Sequence, residues 1–73
     1  MNKTIYSEEH RYIVARLREA REGSHLTQKQ AAKLLGVTQS LISKIEAGQY
    51  RVDVVQLSQF AKLYKKNLKF FIK

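Results

Sequence analysis

Cysteine, proline and tryptophan are absent from these 73 residues, and glycine occurs only three times. Without cysteine there is no disulfide framework and no thiolate metal site. A core this small must then be supported by helix packing or by association between copies, and a reducing compartment suits the chain. Without proline, and with glycine only at Gly23, Gly36 and Gly48, interruptions of helix are few and easily located. No stretch approaches the roughly 20 apolar residues needed to cross a bilayer, and "MNKTIYSEEH" lacks the apolar centre of a signal peptide. The expectation is a single domain in the cytoplasm with no membrane role. Acidic residues are scarce as well, six against fourteen Lys and Arg, which leaves a formal charge of +8. Both halves of the chain share that excess, which favours a polyanionic partner, nucleic acid or an anionic membrane face, although charge that merely solubilises the domain has the same signature.

Catalytic signatures are also missing. His10 and His25 have no cysteine and no nearby histidine, and there is no glycine-rich phosphate loop or nucleophile elbow. Both histidines are expected at the surface, and neither enzyme activity, metal nor cofactor is expected. A membrane-surface helix would need large apolar groups opposite its basic face, and those groups are committed to a bundle here.

What the chain does contain is a succession of helix signals. "SEEHRYIVARLREARE" places Ile13, Leu17 and Ala20 at the spacing of a buried stripe, and Gly23 with Ser24 ends it. Thr27 followed by Gln30 is a capping-box pattern that starts a second helix through Ala31, Ala32, Leu34 and Leu35, stopped by Gly36. Thr38 caps a third, "QSLISKIEA", with Ile42 and Ile45 inward and Gly48 at its end. Asp53 with Gln56 opens a fourth, whose inward stripe is Val54, Leu57, Phe60, Ala61 and Tyr64. Asn67 caps a last short helix, "LKFFIK", in preference to a terminal strand with no partner strand to pair with. Leu68, Phe70, Phe71 and Ile72 are too many apolar groups for one face of a terminal turn, so some of them are expected against a partner subunit.

Two short helices joined by a glycine turn, with small Ala32 at the crossing, suit a helix-turn-helix. Paired helices of this kind also occur in bundles and helical repeats. The stretch "LREAREGSHLTQKQAAKLLGVTQSLISKIEAGQ", followed by "VVQLSQFAKLY", resembles the lambda Cro and phage repressor (Cro/C1, Xre) type of helix-turn-helix domain. Gln28, Ala32, Gly36, Ile42, Ser43, Glu46 and Gly48 fall in register over about residues 10–72. Residues 1–9 remain as an N-terminal segment and the start of helix one. The resemblance implies an all-α, compact five-helix bundle of the lambda repressor-like type, with the motif at about 28–47 and helix three as recognition helix.

On that reading Gln39, Ser40, Ser43 and Lys44 face base edges. Glutamine can pair bidentately with adenine, lysine reaches guanine acceptors or a phosphate, Ser40 is permissive, and Ser43 suits a phosphate or water as well as a base. Leu41 is split between core packing and a thymine methyl. Gln28 and Thr38, at helix starts, and Gln49, Tyr50 and Arg51, in the following loop, are assigned to phosphates, with Arg51 the leading contact. A ring packed on its own loop is an equal alternative for Tyr50. Arg21 and Glu46 match family positions that form a structural ion pair. His25, Ala31, Lys65 and Lys66 depart from the family pattern but touch no groove position.

The resemblance implies a sequence-specific, double-stranded DNA-binding transcriptional regulator of bacterial or phage origin. It is expected to act as a homodimeric repressor, with Leu68, Phe70, Phe71 and Ile72 at the dimer interface. Two alternatives share the fold: the antitoxin of a toxin-antitoxin pair, with a small protein partner, and a restriction-modification controller protein.

Overall fold

A computed structural model describes residues 7–72; residues 1–6 of the N-terminal segment and Lys73 lie outside the described residues. Among the described residues the chain is all-α with no strand. It comprises α1 (Glu8–Gly23), α2 (Gln28–Leu35), α3 (Gln39–Glu46) and α4 (Val54–Tyr64), then a three-residue 3-10 turn, Leu68–Phe70. The bundle therefore has four helices and not five. After Asn67 the backbone closes through i to i+3 bonds, from Phe70 N to Asn67 O (3.1 Å) and from Phe71 N to Leu68 O (3.1 Å). The Asn67 side chain makes no capping bond, so no α-turn is started there.

Each α-helix begins where a side chain can occupy its first free amides. Ser7, Thr27, Thr38 and Asp53 all have extended backbone and accept from the amides of His10, Gln30, Leu41 and Gln56. Thr27 and Asp53 complete the reciprocal box, because Gln30 and Gln56 accept in return from the backbone amides of the caps. A cap of this kind stabilises by about 1 kcal/mol.

The four helices also end alike. In each, one amide reaches back five residues and the amide before it reaches back three, the paired closure built around a left-handed residue. The long bonds run from Leu26 N to Arg21 O, Val37 N to Ala32 O, Gln49 N to Lys44 O, and Lys66 N to Ala61 O. The left-handed residues are His25 (φ 60°), Gly36 (φ 73°), Gly48 (φ 78°) and Lys65 (φ 57°). Glycine adopts that conformation without steric cost, whereas a side chain there is strained by roughly 1 kcal/mol. His25→Gly and Lys65→Gly are each expected to raise stability by about 0.5–1 kcal/mol, less whatever the freer unfolded chain takes back. Urea unfolding should show the midpoint moving up in both variants; a downward shift would mean that the His25 or Lys65 side chain makes a contact worth more than its strain.

The core is assembled from Leu17 and Ala20 of α1, Ala31 and Ala32 of α2, Ile42 and Ile45 of α3, Leu57, Phe60, Ala61 and Tyr64 of α4, and Phe71. Ile13 packs at its margin. Two expectations about its edge need correction. Val54 is 72% exposed, because it directly follows the capping residue and the inward stripe of α4 starts only at Leu57. His10 is buried at 6% exposure rather than at the surface, since it lies seven residues before Leu17 on the same face of α1. Its Nε2 and the Tyr64 hydroxyl are enclosed without a hydrogen-bond partner among the described residues. Burial, together with the negative charge of Glu46, pushes the Tyr64 phenol up to about 12 against the opposing influence of Arg21.

The tail corrects the interface assignment as well. Phe71 is fully enclosed by its own chain, with its ring edge-on to Phe70 at 5.2 Å, and offers no surface to a second subunit. Leu68 and Phe70 are partly covered. Arg16 of α1 holds the turn down: its Nε donates to the Phe70 carbonyl at 2.8 Å and its guanidinium lies 3.7 Å from the Phe70 ring centre. Lys66 caps the same ring at 4.7 Å. Of the four residues assigned to a dimer contact, only Ile72, at 52%, is broadly exposed.

Candidate nucleic-acid interface

The unit that would meet DNA is built from α2, the turn Gly36–Val37 and α3. Ala31 and Ala32 are 0% and 3% exposed, and their small side chains let α3 approach closely. Ile42 and Ile45, each 1% exposed, fill the space from the α3 side. The turn needs its glycine, because Gly36 is left-handed and directs Val37 N back to Ala32 O at 3.0 Å. Thr38 then restarts the helix by accepting from Leu41 N at 3.1 Å.

With Ile42 and Ile45 inward, the remaining face of α3 is free. Gln39, Ser40, Ser43 and Lys44 are all exposed, at spacings of one, four and five residues that place them on one side of the helix. Leu41 is half-buried at the edge of that strip and packs against the core margin. Thr38 is exposed; its oxygen is used as a cap, and its hydroxyl proton remains available to an acceptor. Gly48 closes the helix in left-handed conformation and turns the chain into the loop of Gln49, Tyr50 and Arg51, all three exposed. The two assigned groups are thus contiguous: a polar strip along α3 and a polar, basic loop leaving its end.

Arg21 and Glu46 come together as anticipated from the resemblance. Arg21 Nε donates to Glu46 Oε2 at 2.7 Å and Nη2 donates to Oε1 at 3.0 Å, a two-pronged pair with side chains only 10% and 5% exposed. The third guanidinium nitrogen donates to the Leu26 carbonyl at 2.8 Å. The Glu46 hydrogen bond raises the Arg21 pKa against the opposing effect of burial. The pair fastens the end of α3 to α1 across 25 residues of sequence.

The helix-turn-helix family profile matches residues 17–71. The chain belongs to that family. It is a DNA-binding helix-turn-helix regulator of the Cro/C1, Xre-like type. Searches of curated proteins and of solved structures returned no match. The matched span takes in every assigned base and phosphate residue of this helix-turn-helix protein, both members of the ion pair, and the tail as far as Phe71. It leaves out the first half of α1, where His10 and Arg16 lie.

Gln28 is placed differently from its assignment. It is half-buried, and its side-chain Nε2 donates to Glu46 Oε1 at 3.1 Å instead of standing free at the mouth of α2. Sequence reasoning missed this bond because its partners are 18 residues apart on different helices, and no local pattern marks either as the other's neighbour.

Proposed function

We propose that this helix-turn-helix regulator acts as a homodimeric, sequence-specific repressor that lays α3 of each protomer in the major groove. The observation that carries the reading is the division of α3, with Ile42 and Ile45 locked inward while Gln39, Ser40, Ser43 and Lys44 form an unobstructed polar strip. Gln39, at the leading end, suits an adenine edge through its paired donor and acceptor. Lys44, more than one turn further, suits the guanine acceptors, and Ser40 and Ser43 tolerate several bases or a bridging water. Thr38, Gln49, Tyr50 and Arg51 set the register by phosphate contact, which carries affinity without sequence information.

Two recognition helices on a dimer read half-sites about 34 Å apart, one turn of DNA. Among the described residues the apolar surface left for self-association is scattered: Ile72 and the uncovered parts of Leu68 and Phe70 at the tail, Val54 and Val55 at the start of α4, and Leu34 and Val37 around the end of α2. Weak association in solution, completed on the operator, fits that distribution. Control then follows protein concentration, with repression at the bound promoter the simplest outcome of occupancy.

A duplex recovered by selection from random sequence provides the test. Gln39→Ala should lower the preference for the selected base at its position, by about 1–3 kcal/mol if a bidentate pair is lost. Arg51→Ala should weaken all duplexes about equally and reduce the salt slope by about 1. If the wild-type protein binds no duplex at low salt, the reading is wrong.

A further inference from the structure

Glu46 closes α3, and its carboxylate is shared by two other helices. Arg21 of α1 donates to both oxygens, and Gln28, the first residue of α2, donates to Oε1 at 3.1 Å beside the 3.0 Å bond from Arg21. Through Arg21 the same group is linked to the Leu26 carbonyl in the α1–α2 connection. The far end of α3 is therefore tied to α1, to the loop and to the first turn of α2, while its near end is fixed by Thr38 and the Gly36 turn.

Those ties control different things. The contacts of Ala31 and Ala32 with the buried face of α3 set how close α2 and α3 come, but apolar burial is non-directional and says little about rotation. A hydrogen bond to an ionised carboxylate is directional. Arg21 orients the end of α3 relative to α1; among the hydrogen bonds to Glu46, the one from Gln28 ties it directly to α2. Side chains that read bases must be held to within about 10–20° of the productive geometry. A bond at the opposite end of an eight-residue helix from Gln39 is well placed to resist rotation of the whole strip.

We infer that Gln28 is a positioning residue for base readout: its amide sets the orientation of α3 through Glu46, and its contribution to DNA binding is specificity rather than phosphate affinity. The inference rests on α3 being the recognition helix. A phosphate contact and a positioning bond differ in what they do to the wrong sequence. The first strengthens binding to every duplex; the second matters only where bases must be matched.

Gln28→Met keeps the length and stem of the side chain and removes the donor. Gln28→Glu keeps its shape and sets a like charge against Glu46. Both are titrated, at one salt concentration, against the selected duplex and a scrambled duplex of the same composition, with native-state hydrogen exchange of the Ala47, Gly48 and Gln49 amides measured alongside. Gln28→Met should lose about tenfold on the selected duplex, the size expected of one bond to a charged group, and less than about twofold on the scrambled one. Gln28→Glu should lose more on the selected duplex, with faster exchange at the end of α3. Equal losses on both duplexes would make Gln28 a phosphate contact and overturn the inference alone, as would no loss on either. If the wild-type protein does not prefer the selected duplex, the regulator reading fails and takes the inference with it.

Discussion

Glu46→Ala should destabilise the protein by about 3–5 kcal/mol, because it strands a guanidinium that is nine-tenths buried. Domains of this size hold roughly 0.05–0.15 kcal/mol per residue, so the loss would be a large part of the total. The same deletion leaves the Gln28 amide without its acceptor and frees the end of α3 from α1. Arg18→Ala is the surface-pair control. Glu22 pairs with Arg18 at 3.4 Å with both side chains about 60% exposed, and such surface pairs contribute a few tenths of a kcal/mol. Urea unfolding followed by circular dichroism should separate the two variants clearly. A loss below about 1 kcal/mol for Glu46→Ala would mean that the buried pair only offsets its own desolvation and that Arg21 finds water when the carboxylate is removed.

Phe71→Ala should cost about 3–5 kcal/mol as well, by leaving a ring-sized void in a core with few other large groups. The concentration dependence of this effect discriminates between two roles. A residue buried within its own chain lowers the melting temperature equally in dilute and concentrated samples. A residue at a subunit interface lowers it more as the protein is diluted. The first outcome is expected for Phe71, and Ile72→Ala, at an exposed position, should change folding stability by no more than about 0.5 kcal/mol. A concentration-dependent loss in Phe71→Ala would return the tail to the interface.

The starts of α2, α3 and α4 were legible because each is a local event: Thr27, Thr38 and Asp53 reach amides only three residues away. The stops at Gly36 and Gly48 were legible for the same reason, since glycine is the residue type suited to the left-handed position. His25 and Lys65 perform the same closure without that mark, and the resemblance registered them only as departures from a pattern. His10 was misread by residue type, although its spacing from Leu17 already put it on the inner stripe. Val54 was misread through its apolar character, although its position directly after the cap turns it outward. The fate of the tail depended on Arg16, 54 residues upstream of the carbonyl it holds, and no window of sequence contains both. At the candidate interface the polar strip of α3 followed from helical periodicity. The Arg21–Glu46 pair came only from resemblance, and the bond from Gln28 to Glu46 from neither.

The clamp of Arg16 on Phe70 also bears on the order in which the molecule assembles and comes apart. Caps and helix closures form between near neighbours and can appear early, whereas the contact from α1 to the 3-10 turn has to bring together segments separated by most of the chain, at an entropic cost that rises with the logarithm of that separation. The three-residue turn has little structure of its own to survive without that contact. It is the natural last piece to dock and the first to lift, so partial openings should bare the Phe71 side of the core while the pairing of α2 with α3 stays closed.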